Sequence, residues 1–266
     1  MAFKDKYTIT PAYLTTPSKR RSGFLMSPGV KFIVAHDTGN PKSTARGNRN
    51  YYENSRDKES ASAHIFVDDK EIIECIPALT SNKPEKAWHV LYGVTTDNQL
   101  FGYNANDAAI GVEYCYGDNI NADESYRKYI WIIAKICATY GLDPAKSVVG
   151  HCFLDPKRKT DPVSGLLQSR RTYDQLLKDI VSEYNECSGL KAQTYNFTAS
   201  PGTATILHKV NIRKGEPATK SDIVQIVSAG SSIDYTGYVS DGEAVNGNAK
   251  WFKNEAGNYF WSGAIS

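Results

Sequence analysis

The segment Lys31-Phe-Ile-Val-Ala35 is apolar without alternation, which predicts a short strand covered on both faces. Ala109 to Cys115 repeats that pattern, and Ser147 to Val149 predicts a shorter strand. Ser62 to Val67 and Glu71 to Ile76 flank Asp68-Asp69-Lys70 and read as a β-hairpin. Between Asp123 and Tyr140 the period changes. Tyr126, Tyr129, Ile130, Ile133, Ile136, Cys137 and Tyr140 recur at three- and four-residue spacing, one stripe of a helix. Asn121 or Asp123 can cap its start and Gly141 can stop it. Ser43 to Ser55 is polar and helix-compatible, with Ser43 or Thr44 as its cap, and Arg170 to Tyr184 predicts a second amphipathic helix. Strands alternating with helices predict an α/β domain around a mostly buried sheet.

The pattern changes near residue 187. CSGLKAQTYNFTASPGTATI is rich in Ser, Thr, Gly and Ala and reads as a linker. Short β-type runs with Gly-containing turns follow, at spacings of about ten residues, and predict a small all-β barrel or sandwich. The expected organisation is a first domain over 1–187, a linker over 188–204 and a β domain over 205–266.

Composition narrows the class. Of 266 residues, 41% are hydrophobic and 23% charged, which excludes a disordered or collagen-like chain. Lys and Arg number 31 against 29 Asp and Glu, so nothing points to nucleic acid as a partner. No run approaches the ~20 apolar residues of a membrane span, so no membrane insertion is expected. The opening MAFKDKYTITPAYLTT lacks the apolar stretch of a secretory signal, which predicts synthesis in the cytoplasm. The five cysteines include no CxxC pair and read as reduced, mostly buried thiols.

Two histidines stand where a strand leaves the sheet: His36 after FIVA and His151 after VVG. Ligands of α/β proteins collect at that edge. Asp161 follows His151 by ten residues, a loop long enough to return beside it. Two imidazoles and a carboxylate make a three-ligand zinc site with a fourth position open. Taken singly, a histidine at a strand end is more often a hydrogen-bonded surface or core residue than a ligand. Cys152 beside His151 is not read as a Cys–His dyad, because adjacent side chains on an extended segment diverge.

VAHDTGN, SAHIFVDDKEIIECIP, KAWH, AIGVEYC and VVGHCFLDPKRKTDP occur in that order over residues 10–185. Together they resemble the zinc-dependent N-acetylmuramoyl-L-alanine amidases of the amidase-2 type, which share a fold with peptidoglycan recognition proteins and include phage endolysins. The resemblance implies a central mixed sheet flanked by helices, one Zn2+, and peptidoglycan as the partner. It assigns His36, His151 and Asp161 as metal ligands, Glu113 as the group that takes the proton of the attacking water, and Lys159 as the cation facing the oxyanion. It places His89 in the substrate groove, while His64 reads as structural. Two positions depart from the pattern: Ala63 stands where some relatives have Tyr, which shifts the proton transfer onto Glu113, and Val163 stands where Gly is usual.

VNIRKGEPATKSDIVQIVSAGSSI and WFKNEAGNYFWSGAIS resemble bacterial Src-homology-3-like wall-binding modules, with Tyr235, Tyr238, Trp251, Phe252, Tyr259 and Trp261 divided between core and ligand contact. The resemblance therefore implies an endolysin of a Gram-positive host that cuts between N-acetylmuramic acid and L-alanine and depends on a holin to reach the wall. A non-catalytic peptidoglycan-binding protein and a zinc endopeptidase acting within the stem peptide are the alternatives.

Overall fold

The FIVA segment becomes an inner strand of a six-stranded mixed sheet in the first of two units, Met1–Ala192 and Gln193–Ser266, into which the chain divides. The structure, a computed structural model, describes residues 2–117, 119–190 and 194–265. In chain order the first unit's strands are β1 (Ile9–Pro11), β2 (Phe32–Asp37), β3 (Ile65–Val67), β4 (Ile72–Glu74), β5 (Ala109–Tyr114) and β6 (Val148–Gly150), arranged β1-β4-β3-β5-β2-β6. Only β3–β4, the expected hairpin, is antiparallel. The helices are α1 (Ala45–Asn54), α2 (Thr96–Phe101), α3 (Ala105–Ala108), α4 (Ala122–Tyr140), α5 (His151–Leu154), α6 (Val163–Gln168) and α7 (Tyr173–Cys187).

Every residue of β2 is buried, as expected of a strand covered on both faces. Ile33 and Ala35 pack with Ile110, Val112, Tyr129 and Ile133 on the α4 side. Phe32 and Val34 face the opposite layer with Val90, Ala105, Ala108 and Leu154. Alternation therefore sends His36 and Glu113 to the face opposite α4.

Helix α4 starts where Asn121 Oδ1 accepts the Glu124 N–H and ends at Gly141, whose φ of 64° suits glycine. Thr44 caps α1. Helix α7 begins at Tyr173 rather than Arg170, because Arg170 takes a left-handed φ of 59° and Thr172 supplies the cap.

The second unit holds β7 (Phe197–Thr205), β8 (Val210–Arg213), β9 (Ile223–Val227), β10 (Ser232–Val239), β11 (Trp251–Lys253) and β12 (Tyr259–Trp261) in an all-antiparallel sheet ordered β7-β10-β11-β12-β8-β9. This is consistent with a Src-homology-3-like domain. Residues 197–204, expected within the linker, instead form most of β7 and pair with β10. An edge strand needs no apolar face, and nearly all of β7 is exposed, so its Ser-Thr-Gly-Ala composition concealed it. Trp251, Phe252, Tyr259 and Phe260 are buried, while Tyr235, Tyr238 and Trp261 are partly buried around them. No helix among the described residues is long and apolar enough to cross a membrane.

Candidate metal centre

The parallel register sets His36 of β2 beside Glu113 of β5. On the other flank of β2, β6 ends at Gly150 and His151 opens α5. Both histidines thus leave adjacent strands at one sheet edge. Gly150 permits the turn, since a Cβ there would lie 2.8 Å from Pro162 Cδ. The chain returns because the Cys152 N–H donates to the Asp161 carbonyl at 2.8 Å. Asp37 then anchors the segment that follows, its Oδ2 accepting from the Ser164 hydroxyl and the Gly165 N–H, both at 2.7 Å.

Asp161 Oδ2 lies 2.8 Å from His36 Nδ1 and 3.1 Å from His151 Nδ1. Among the described residues, these three offer ligand atoms that all lie within 4.8 Å of one another. Both histidines are buried at 2% exposure. Burial alone would raise the Asp161 carboxyl, but the His151 and His36 imidazoles bonded to it hold it far below the usual carboxylate range. Burial also lowers His36, against the opposing pull of Asp161. Two imidazoles and a carboxylate are a donor set that suits Zn2+.

These residues line a cavity of about 380 Å3 together with Glu113, Lys159, His89, Trp88, Thr38 and Tyr52. Glu113 is partly buried, and its Oε2, itself shielded from solvent, has no hydrogen-bond partner. Burial first, then the Asp161 and Asp37 charges, push its carboxyl well above the usual range, with Lys159 opposing. Glu74, the fully buried glutamate of β4 on the same sheet, contrasts with it: its two oxygens accept from the backbone of Ala78, Leu79 and Thr80. A buried carboxylate oxygen left without donors is costly, and it faces the cavity that holds the candidate ligands.

His89, expected in the groove, lines the cavity but engages both ring nitrogens: Nδ1 lies 3.0 Å from His36 Nε2, and Nε2 lies 3.1 Å from the Ala109 carbonyl. His64 is fully buried, its Nδ1 accepting the Gly111 N–H and its Nε2 meeting the Glu85 carbonyl. Ala63 is buried beside it and offers no side-chain donor. Sequence reading did not single out Tyr52, which lines the cavity with Glu113, or Tyr129, whose hydroxyl donates to the His36 carbonyl at 3.0 Å. Tyr129 was visible only as one member of the α4 stripe.

The N-acetylmuramoyl-L-alanine amidase family matches residues 26–164, just over half of the chain, and both histidines, Asp161 and Glu113 lie in that stretch. The chain belongs to this amidase family. It is 30% identical over 181 residues to N-acetylmuramoyl-L-alanine amidase BlyA of Bacillus subtilis (strain 168), covering 62% of this chain and 45% of BlyA. It is 29% identical over 230 residues to amidase CwlL of Bacillus licheniformis, covering 82% of this chain and 58% of CwlL. A probable amidase of Bacillus licheniformis is 37% identical over 125 residues, 46% of this chain and 34% of that protein. The chain thus spans between a third and three fifths of the length of these relatives. Among solved structures, Staphylococcus aureus hydrolase AmiA in complex with its ligand aligns with a TM-score of 0.56 at 26% identity, covering 71% of this chain and 89% of AmiA. The catalytic domain of XlyA aligns with a TM-score of 0.51 at 24% identity, covering 65% of this chain and 99% of that domain, a likeness of fold. The mixed α/β sheet of the first unit is the fold that these solved structures share with it.

Proposed function

We propose that the first unit hydrolyses the amide bond between N-acetylmuramic acid and the L-alanine of the peptidoglycan stem, with one Zn2+ held by His36, His151 and Asp161. The observation that carries this reading is the convergence of three ligand atoms in a cavity that also holds an unpartnered, buried Glu113 oxygen. When bound, the zinc ion supplies Lewis acidity, which polarises the scissile carbonyl and makes water a competent nucleophile near neutral pH. Glu113 Oε2 takes the proton from the attacking water. Its raised proton affinity lets it hold that proton and pass it to the departing amine of L-alanine. Lys159 lines the same cavity and faces the negative charge that develops on the carbonyl oxygen. Trp88 and Tyr52 line the cavity as well and orient the substrate.

The second unit holds the enzyme on the wall. Its all-antiparallel sheet, its partly buried Trp261 and its exposed Leu207, Ile223, Val224 and Ile226 support this reading. Residues 191–266 carry seven basic and six acidic groups, so wall binding should depend little on salt. The pairing of a wall-cutting and a wall-binding unit supports an endolysin whose access to the wall a holin provides.

The test is digestion of purified Gram-positive walls, followed by mass spectrometry of the soluble fragments. Free N-terminal L-alanine on intact stem peptides is the expected product. A new amino terminus within the stem would make the protein an endopeptidase, and undigested walls that retain the protein would make it a binding protein.

A further inference from the structure

His36 and His151 offer equivalent atoms to Asp161, but their far nitrogens differ. His36 Nε2 lies 3.0 Å from His89 Nδ1, whereas His151 Nε2 is buried and has no hydrogen-bond partner. The His36 contact belongs to a chain with a fixed direction. It ends on the Ala109 carbonyl, which can only accept. His89 Nε2 therefore carries the proton, and a neutral His89 presents a lone pair at Nδ1. His36 Nε2 must then donate to it. A neutral His36 is left with a bare lone pair at Nδ1, aimed at Asp161 Oδ2 2.8 Å away. Two lone pairs facing each other at that distance repel unless a cation lies between them.

The surroundings hold this direction. The His89 ring lies against Gly111, where a Cβ would approach its Cγ and Nδ1 to 2.9 Å. The Gly111 N–H is itself bound to His64 Nδ1 at 3.0 Å. The His89 backbone N–H donates to Asn106 Oδ1 at 2.9 Å, and Asn106 is 1% exposed. Few movements are open to a ring clamped by a strand backbone, a buried amide and a second imidazole.

We infer that His89 is a positioning residue of the metal centre: through the Ala109 carbonyl–His89–His36 chain it holds His36 as the Nε2–H tautomer, with Nδ1 free to ligate Zn2+. This rests on the proposed zinc reading. Partners of this kind typically contribute about 10–100-fold in metal affinity. His151 lacks one, so the two imidazole ligands are held unequally.

The experiment uses the full chain, with Zn2+ affinity measured by competition against a chromogenic chelator and the His36 tautomer read from nitrogen-15 shifts of the Zn2+-loaded protein. His89→Leu removes the acceptor and keeps apolar bulk. His89→Asn places an amide oxygen near the position of Nδ1. The expected results are Zn2+ affinity about 10–100-fold weaker for His89→Leu, recovery of most of it by His89→Asn, and an Nε2–H tautomer for His36 in the unsubstituted chain. Folded His89→Leu with undiminished Zn2+ affinity overturns the inference, as does equal weakening by the two variants. A predominant Nδ1–H tautomer at His36 overturns it without any variant, which covers the case in which His89→Leu fails to fold. An unsubstituted chain that binds no Zn2+ sinks the metal reading itself, whereas tight binding indifferent to His89 sinks only the inference.

Discussion

The two units handle polar groups in opposite ways. Every buried polar or charged residue among those described lies in the first unit, including His36, His64, His89 and His151. Among its described residues the second unit buries only apolar and aromatic side chains, and its one histidine, His208, is exposed. Burying a polar group without partners costs about 1–3 kcal/mol. Most of the first unit's buried groups avoid that cost by hydrogen bonding, as Glu74 does to three backbone amides. Glu113 Oε2 and His151 Nε2, which line the cavity of the proposed metal centre, do not, and neither does Asp69 Oδ1 between β3 and β4. Two of these three atoms lie at the proposed metal centre, whereas the second unit, organised around Trp251 and Phe260, has none among its described residues.

The comparison breaks most completely if the ligand set is disposable. Asp161→Asn keeps the shape but removes the charge shared by two imidazoles, and is expected to abolish both Zn2+ retention and wall clearing. Metal content and turbidity measured on one preparation check both, and full activity with stoichiometric zinc would return Asp161 to a purely structural role. Glu113→Gln should leave zinc content unchanged and lower turnover by about 10²–10⁴-fold, the usual share of a general base. Steady-state rates on a soluble muropeptide separate this loss from any loss of wall binding.

The next effect falls on the second unit alone. Trp251 is 1% exposed and its indole N–H donates to the Glu243 carbonyl. Trp251→Ala should cost about 3–5 kcal/mol. It should melt the second unit and abolish retention on walls, while zinc content and muropeptide turnover persist. Differential scanning calorimetry and wall pull-down check this, and a parallel loss of zinc would show that the units do not fold independently.

The smallest effect is one of pH. Burial lowers His64 from 6.5 to about 4, so the unfolded chain binds a proton in that interval and the fold does not. Stability of the metal-free first unit is therefore greatest above pH 6.5. It should fall as the pH drops towards 4, by about 3 kcal/mol from His64 at most, with His36 and His89 adding in the same direction. The second unit, with no buried histidine, should hold its melting temperature across that interval more nearly constant. Melting of fragments 1–192 and 194–266 at pH 7 and pH 4.5 sharpens the contrast, and equal shifts in both would remove its basis.

Local sequence carried much of the first unit. The uniform apolar runs of β2 and β5 could be satisfied only by burial on both faces, and the capped, striped segment 122–140 only by a helix against that sheet. The β7 segment was illegible because its backbone is satisfied by β10, 27 to 42 positions away, and its side chains report nothing. Short helices such as α5 and α6 were illegible for a related reason: four to six residues hold too little periodicity to read, and they exist because the returning chain is pinned by Asp161 and Asp37.

The sequence by itself determined that His36 and His151 would stand at the C-terminal ends of two apolar strands, since the runs FIVA and VVG stop just before them. It also determined, through the family motifs, which residues to examine with them. Only the tertiary structure decided that one Asp161 oxygen meets both imidazoles, that Glu113 stands beside His36 without a partner, and that His89 reaches beneath His36 to the Ala109 carbonyl. The reason is physical. A strand's end is a property of neighbouring residues, whereas hydrogen-bond direction and desolvation depend on atoms brought together from strands and loops up to 125 positions apart.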